Sequence, residues 1–309
     1  MWGYVFRRLL RLPLVLLAVS FVTFTLGHYG PGDPVEVLMG QKFNQEVADR
    51  IRRERGLDRP FHEQYISYIG GVLQGDFGES YKFQGQPVLD LVLPKAAVSA
   101  QLGLAVILIS TVVAIPLGLV AAIKQGTWVD PSVVIVTLFF MSVPAFITMP
   151  FFVIVFVRTL HVLPTTGWGG MLAPQIVMPA LVMSLGAIGS LTRLMRASTM
   201  EVIGQDFVRT ARSKGLLERV VLFRHVARNA LIPIITVIGL SLATLVEGAF
   251  IVETFFGIPG IGAFAVDSFF SRDYPVIMAL VLMIAASYVV FNLLVDLVYP
   301  LLDPRIRLR

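Results

Sequence analysis

VSAQLGLAVILISTVVAIPLGLVAAI, residues Val98–Ile123, carries no charged side chain anywhere along its length. An apolar core about 30 Å thick takes roughly 20 helical residues at about 1.5 Å each, so this stretch can cross a bilayer as one helix. Within it Ser110, Ala114, Gly118 and Ala122 recur at every fourth position, a row of small side chains that lets another helix approach closely. Five further stretches qualify by the same measure: Leu9–Leu26, Val133–Val157, Gln175–Leu194, Ala230–Val252 and Pro275–Val298. The expected fold class is therefore all-α and integral to a membrane, with six transmembrane helices. Pro13, Pro116, Pro144, Pro150 and Pro179 fall inside these stretches. In lipid each carbonyl freed by a proline needs a partner from a neighbouring helix, so the spans are expected to pack as a bundle.

Composition points the same way. The 309 residues are 56% hydrophobic and 15% charged, with a mean hydropathy of +0.79, where a soluble domain carries about a quarter charged residues. There is no cysteine, which excludes a disulfide framework, a thiol nucleophile and a thiolate metal site. His28, His62, His161 and His225 are scattered without metal-ligand spacing, so no metal site is expected. Arg7, Arg8 and Arg11 precede the first apolar run in the manner of a secretory signal, and Ala18-Val19-Ser20 is a small-x-small triplet. The run continues through Phe21, Val22 and Phe24, however, and reads as a retained first span.

Charge sets the orientation. Arg7, Arg8, Arg11, Lys124, the basic residues between Arg193 and Arg228, and Arg305, Arg307 and Arg309 fall on one side, against Asp130, Glu201, Asp206, Glu218 and Asp303. The 30–97 segment carries more acids than bases. The positive-inside rule puts both termini and the Arg193–Arg228 loop in the cytoplasm and 30–97 outside. The chain divides into a first span (1–29), an external segment (30–97) and a five-helix core (98–309). In the external segment Pro31-Gly32-Asp33-Pro34 stops the first span. A helix is expected from Glu46 to Arg55, ended by Gly56. A second begins near Pro60, with Phe61, Tyr65, Tyr68, Ile69 and Val72 on the face that packs onto the spans, as a cap or as a receiver of cargo.

Catalytic constellations are missing. None of Lys42, Lys82, Lys95, Lys124 and Lys214 follows a glycine, so there is no phosphate loop of the Gly-Lys type. His62-Glu63-Gln64-Tyr65-Ile66 lacks the second histidine of a zinc-protease helix. Gly257-Ile258-Pro259-Gly260-Ile261-Gly262 has the wrong spacing for a dinucleotide turn, and no G-x-S-x-G elbow occurs. No catalytic residue is assigned, and an intramembrane enzyme is disfavoured on the same ground.

The Arg193–Arg228 loop is the informative segment. Asp206 is expected to cap a short helix over Phe207–Lys214 that Gly215 ends. Such a helix, roughly 13 Å long, is too short to span and suited to lying along the membrane surface. Phe207 and Ala211 share one face, and Arg209, Arg212 and Lys214 supply charge. On charge alone, this is a basic loop resting on anionic lipid.

Asp206-Phe207-Val208-Arg209-Thr210-Ala211-Arg212-Ser213-Lys214-Gly215-Leu216 resembles the EAA loop of binding-protein-dependent ABC importers, and in detail that of the dipeptide/oligopeptide/nickel permease family. The likeness continues through Arg224-His225-Val226-Ala227-Arg228-Asn229-Ala230-Leu231-Ile232-Pro233, Glu253-Thr254-Phe255-Phe256-Gly257-Ile258-Pro259-Gly260-Ile261-Gly262, Arg272-Asp273-Tyr274-Pro275, Asn292-Leu293-Leu294-Val295-Asp296 and Asp303-Pro304-Arg305. Upstream, Pro31-Gly32-Asp33-Pro34, Gly56-Leu57-Asp58-Arg59-Pro60 and Gly75-Asp76-Phe77-Gly78 match as well. Arg209-Thr210-Ala211 stands where the general pattern has Glu-Ala-Ala, and Ala227-Arg228 where it has Leu-Pro; both variants are usual in the peptide branch.

The resemblance implies a type I permease in a bacterial plasma membrane. Its partners would be a second homologous permease, two ATP-binding subunits that hold ATP and Mg, an external solute-binding protein and membrane lipid; this chain would bind no cofactor and no nucleic acid. Asp206, Phe207, Arg209, Thr210, Ala211, Arg212, Lys214, Gly215 and Leu216 would then meet an ATPase, whose closure moves the short helix as a lever. The implied cargo is di- or oligopeptides, with nickel or another small solute as the alternative. An ion-coupled secondary transporter would need acidic or histidine relays in mid-span. Glu247, continuing the row of Gly239 and Ala243, is the only acid deep in an expected span. It and Asn292 are the candidate substrate-path residues.

Overall fold

The computed structural model describes residues 2–30, 35, 44–242 and 247–302, and is all-helical over them apart from one isolated β-bridge between Glu79 and Pro87. The Pro31–Pro34 turn, Ala243 and the Asp303-Pro304-Arg305 motif lie outside the described residues. The helices are α1 (Trp2–His28), α2 (Gln45–Glu54), α3 (Phe61–Leu73), α4 (Val88–Ile123), α5 (Val129–Ser142), α6 (Ala145–Phe152), α7 (Val177–Ile203), α8 (Asp206–Ser213), α9 (Glu218–Leu242), α10 (Phe250–Phe256), α11 (Ile261–Phe270) and α12 (Tyr274–Leu302). α6 runs on into a π turn over Val153–Thr159, and another π turn over Val221–Ala227 widens the first half of α9.

Four helical segments among the described residues are individually long and apolar enough to cross a membrane: α4, α7 with its preceding turn, α9 and α12. The expected span Val133–Val157 is broken instead. Val143 precedes Pro144 and adopts φ −86°, ψ 117°, because the proline ring crowds the α conformation of the residue before it. α5 and α6 consequently meet at 99°.

The expected span Ala230–Val252 is also corrected. α9 begins at Glu218, and Gly248 stands at φ +76° with the backbone nitrogen of Gly262 2.7 Å from where a Cβ would be. A helix cannot run through such a position, so Glu247 lies in an exposed turn rather than on a helical row. Likewise Arg193 and Arg196 belong to α7, which runs on to Ile203. Charged residues do not end a helix; they only mark where it leaves the apolar layer.

α4 and α7 form the central crossing. Ser110, Ala114 and Ala122 are buried, and a Cβ on Gly118 would stand 2.6 Å from the Thr192 carbonyl oxygen of α7. The row of small side chains is thus the contact surface it was read to be. Nearby, Arg196 of α7 holds Asp130 of α5 through two hydrogen bonds, Nε–Oδ1 at 2.5 Å and Nη2–Oδ2 at 2.7 Å.

α2 and α3 form where the sequence places them. Gly56 ends the first at φ +65°, and Asn44 Oδ1 caps its start by accepting from the Glu46 N–H at 2.9 Å. Phe24 of α1 packs its ring against Phe61, Tyr65 and Tyr68 of α3 at 5.3–5.5 Å, while the Ser20 and Tyr65 hydroxyls bond at 3.0 Å. The following loop is tied down by Asp273, buried at the α11–α12 junction. Its carboxylate accepts from the Ser80 hydroxyl, the Tyr81 N–H at 3.0 Å and the Lys82 N–H at 3.3 Å. Lys82 Nζ also pairs with Asp267 of α11 at 2.7 Å.

Apolar side chains gather into three cores. One joins α4, α7, α8 and α9 through Ala114, Met195, Val202, Val208, Val221 and Ile234. The other two lie toward the opposite end of the bundle, around Leu102, Met149 and Phe256, and around Val92, Phe264 and Leu280.

Candidate coupling site and a buried clasp

α8 stands at one end of the bundle, in the connection between α7 and α9. Gln205 is its N-cap in extended conformation, and Asp206 is the first helical residue, not the cap expected from the sequence. No side chain caps this helix. Asp206 instead places negative charge in the first turn, the favoured sign at that end of a helix dipole, and forms a loose 3.6 Å pair with Arg209. Thr210 Oγ1 donates to the Asp206 carbonyl at 2.9 Å. Val208 and Ala211 point inward and are buried against Val202 and Val221, whereas Phe207 stands at the rim, 39% exposed. The inward pair is thus spaced i, i+3, and Phe207 falls outside it.

Arg212 turns back to grip Glu218 at the start of α9, Nη2–Oε1 at 2.6 Å and Nε–Oε2 at 3.1 Å. The Glu218 hydrogen bonds raise the guanidinium of Arg212 further above its ordinary value. This fork closes the loop that Gly215 turns at φ +75°. No neighbour lies within 4 Å of a Cβ built there, so any obstacle to a side chain comes from backbone conformation and from whatever docks on the loop. Around it Arg209, Lys214, Leu216, Phe223 and Arg224 are exposed, and Leu217 is 76% exposed. The segment presents a locked inner side and an open outer one that mixes apolar groups with positive charge.

Glu247 and Asn292 fall on different elements. Glu247 precedes the α10–α11 corner that leads into α12. Asn292 lies 18 residues into α12, about 27 Å from its first residue at the helical rise. The Asn292 side-chain N–H donates to the Tyr288 carbonyl of its own helix at 2.8 Å.

A site the sequence reading did not single out lies at that corner. α10 and α11 meet at 91°, and Glu253 of α10 is wholly buried between them. Its Oε1 accepts from the Ser99 hydroxyl of α4 at 2.7 Å and from the Ala249 N–H at 3.2 Å; its Oε2 accepts from the Ala263 N–H at 3.0 Å. Ser99 Oγ in turn accepts from the Ile261 N–H at 2.8 Å. The N-cap of α11 is Gly260, which has no side chain to offer, so Ser99 and Glu253 satisfy the first-turn donors that the helix leaves open. A Cβ on Gly260 would lie 2.6 Å from the Glu253 carboxylate carbon, and one on Gly262 would lie 2.5 Å from the Phe250 nitrogen. The signal available in the sequence was an acid one residue beyond an expected span, flanked by Gly248, Gly257, Gly260 and Gly262.

The sequence places this chain of bent and straight apolar helices, with a short basic helix at one end, in a known family. The chain is a member of the family of binding-protein-dependent transport system inner membrane components. That family's model matches residues 114–308, and the model of its N-terminal region matches residues 1–113. A probable peptide ABC transporter permease of Sinorhizobium fredii is 36% identical, covering 98% of this chain and 99% of its own. The oligopeptide transport system permease protein of Salmonella typhimurium is 34% identical, over 99% of this chain and all of its own. The dipeptide transport system permease protein of Haemophilus influenzae is 37% identical over the same shares. The chain is thus an ABC transporter permease component of the inner membrane, with all-helical architecture of the type I family.

Proposed function

We propose that this chain is one of two dissimilar permease subunits of an ATP-driven importer of di- or oligopeptides. Two ATP-binding subunits would hydrolyse ATP with Mg, an external binding protein would deliver cargo, and this chain would bind no nucleotide itself. The observation that carries the reading is the division of α8 between its sides. Val208 and Ala211 lock it into the bundle, while Phe207, Arg209, Lys214, Leu216 and Leu217 remain open to a partner. The buried pair faces α7 and α9, so the apolar and basic groups of the outer side are held at an angle the bundle sets. Peptide cargo is supported by the relatives, which are named as peptide, oligopeptide and dipeptide permeases.

The test compares Gly215→Val with a triple alanine variant at Arg209, Arg212 and Lys214. At φ +75° a β-branched side chain is strained by roughly 1 kcal/mol or more, and it would intrude on the docked partner. Gly215→Val is expected to stay in the membrane but to lose ATPase subunits on purification, or to separate ATP hydrolysis from uptake. Normal coupling in the valine variant, with damage confined to the triple alanine, would return the loop to the lipid-resting reading.

The proposed orientation puts α8 and both termini in the cytoplasm and α2–α3 outside. Because the chain lacks cysteine, single cysteines report without background. Cysteine at the exposed Gln74 is expected to react with an impermeant thiol reagent added to intact cells, and cysteine at Leu217 only after the membrane is opened. The opposite pattern inverts the topology.

A further inference from the structure

The α10–α11 corner stands between two apolar cores. Val252, Phe256 and Ile258 belong to the core containing Met149 of α6 and Met178 of α7. Ile261 and Phe264 belong to the core containing Val92 of α4 and Leu280 of α12. The corner therefore connects α12 to α6 and α7 at the end of the bundle away from α8. Its outer side carries Phe250, Phe255, Phe269 and Phe270, all 41–80% exposed. On its inner side, Glu253 and Ser99 fix it.

We propose that Glu253 is a positioning residue for transport. Together with Ser99 it clasps the corner to α4, so that the corner swings with the bundle as one body and shuts the external end of the path while the cytoplasmic end is open. This rests on the importer reading above.

The chemistry favours a device with two settings rather than a passive filler. A carboxylate removed from water is tolerated only while its hydrogen bonds hold. Here they come from a hydroxyl and two backbone N–H groups. Ser99 serves the carboxylate and the Ile261 N–H at once, so losing its hydroxyl undoes both links. With the glycine backbone of Gly260 and Gly262 pressed against the carboxylate and α10, no side chain at these positions can take over the donors. The clasp is closed completely or it is open.

The experiment uses the whole complex with its binding protein in lipid vesicles, measuring peptide uptake and ATP hydrolysis together. Ser99→Ala, Glu253→Gln and the double variant are compared with the parent chain. All are expected to assemble, at a yield lowered several-fold at most, so uptake and hydrolysis are read per assembled complex. Uptake per ATP hydrolysed should fall about tenfold in Glu253→Gln, whose amide keeps one oxygen but turns an NH2 donor toward the buried N–H groups, and severalfold in Ser99→Ala, which leaves the Ile261 N–H without its acceptor. The double variant should fall no lower than Glu253→Gln, because the two residues act as one unit. An unchanged ratio in both single variants overturns the proposal. So does failure of both to assemble, since the clasp would then serve folding alone. Parental complexes that hydrolyse ATP without accumulating peptide would instead overturn the importer reading.

Discussion

Gly118→Val is expected to leave little folded chain in the membrane. The added Cβ would meet the Thr192 carbonyl oxygen and the Met195 Cβ at 2.6 Å and the Arg196 nitrogen at 3.0 Å. The first and last of these are backbone atoms of α7 and cannot rotate away, so α7 must move off α4 as a whole. Overpacking of this kind costs about 1–3 kcal/mol, and more where the neighbours are rigid. A loss of that order lowers cellular abundance several-fold. The crossing also seats Leu191 and Met195 in the core that holds α8, so the damage reaches the α8 end of the bundle. Gly186→Ala, on the same helix α7, is the control: no atom lies within 4 Å of its added Cβ. Membrane-fraction yield and fluorescence-detected size exclusion of the two variants check the expectation. Equal recovery of both would show that α4 and α7 do not cross as described.

Asp273→Ala is expected to release the loop after α3. The carboxylate is the shared acceptor for the Ser80 hydroxyl and the Tyr81 and Lys82 N–H groups. Each buried donor left without an acceptor costs about 1–3 kcal/mol; since the loop can rewet, the whole change should cost about 2–4 kcal/mol. The readout is limited proteolysis of right-side-out vesicles, where cleavage between Ser80 and Gln86 should appear in Asp273→Ala and be slight in Asp273→Asn, which keeps one acceptor oxygen. A loop as resistant as the parent's would mean that Lys82–Asp267 and the packing of Phe83 on Phe264 hold it unaided.

Local regularities were legible in the sequence to the extent that one helix suffices to express them. The Ser110–Ala122 row announced the α4 crossing because small side chains matter wherever two backbones approach. Gly215 and Gly56 announced the ends of α8 and α2 because a left-handed residue is cheapest as glycine. Boundaries were misplaced where hydropathy and hydrogen bonding part company. α7 and α9 carry Arg196 and Arg224 in unbroken helix, while the apolar stretches at Val143–Pro144 and around Gly248 are not one helix at all. The site residues missed share a different property. Glu253 with Ser99, Asp273 with Ser80 and Asp130 with Arg196 are each joined across long separations in the chain. No local pattern encodes such pairs; only the fold brings the partners together. Glu247 drew attention because it was counted within a span that Gly248 in fact forbids.

The burial of Val208 and Ala211 bears on how much slack the bundle has. They share one close-packed core with Val202, Val221, Val226, Ala230 and Ile234, and such interiors are nearly incompressible. If an ATPase moves α8 as proposed, packing of this kind would pass the displacement on to α9. Stiff packing of this sort settles into discrete resting positions instead of yielding by degrees. On the proposed reading the cycle would advance in clicks, with few molecules caught between the two settings.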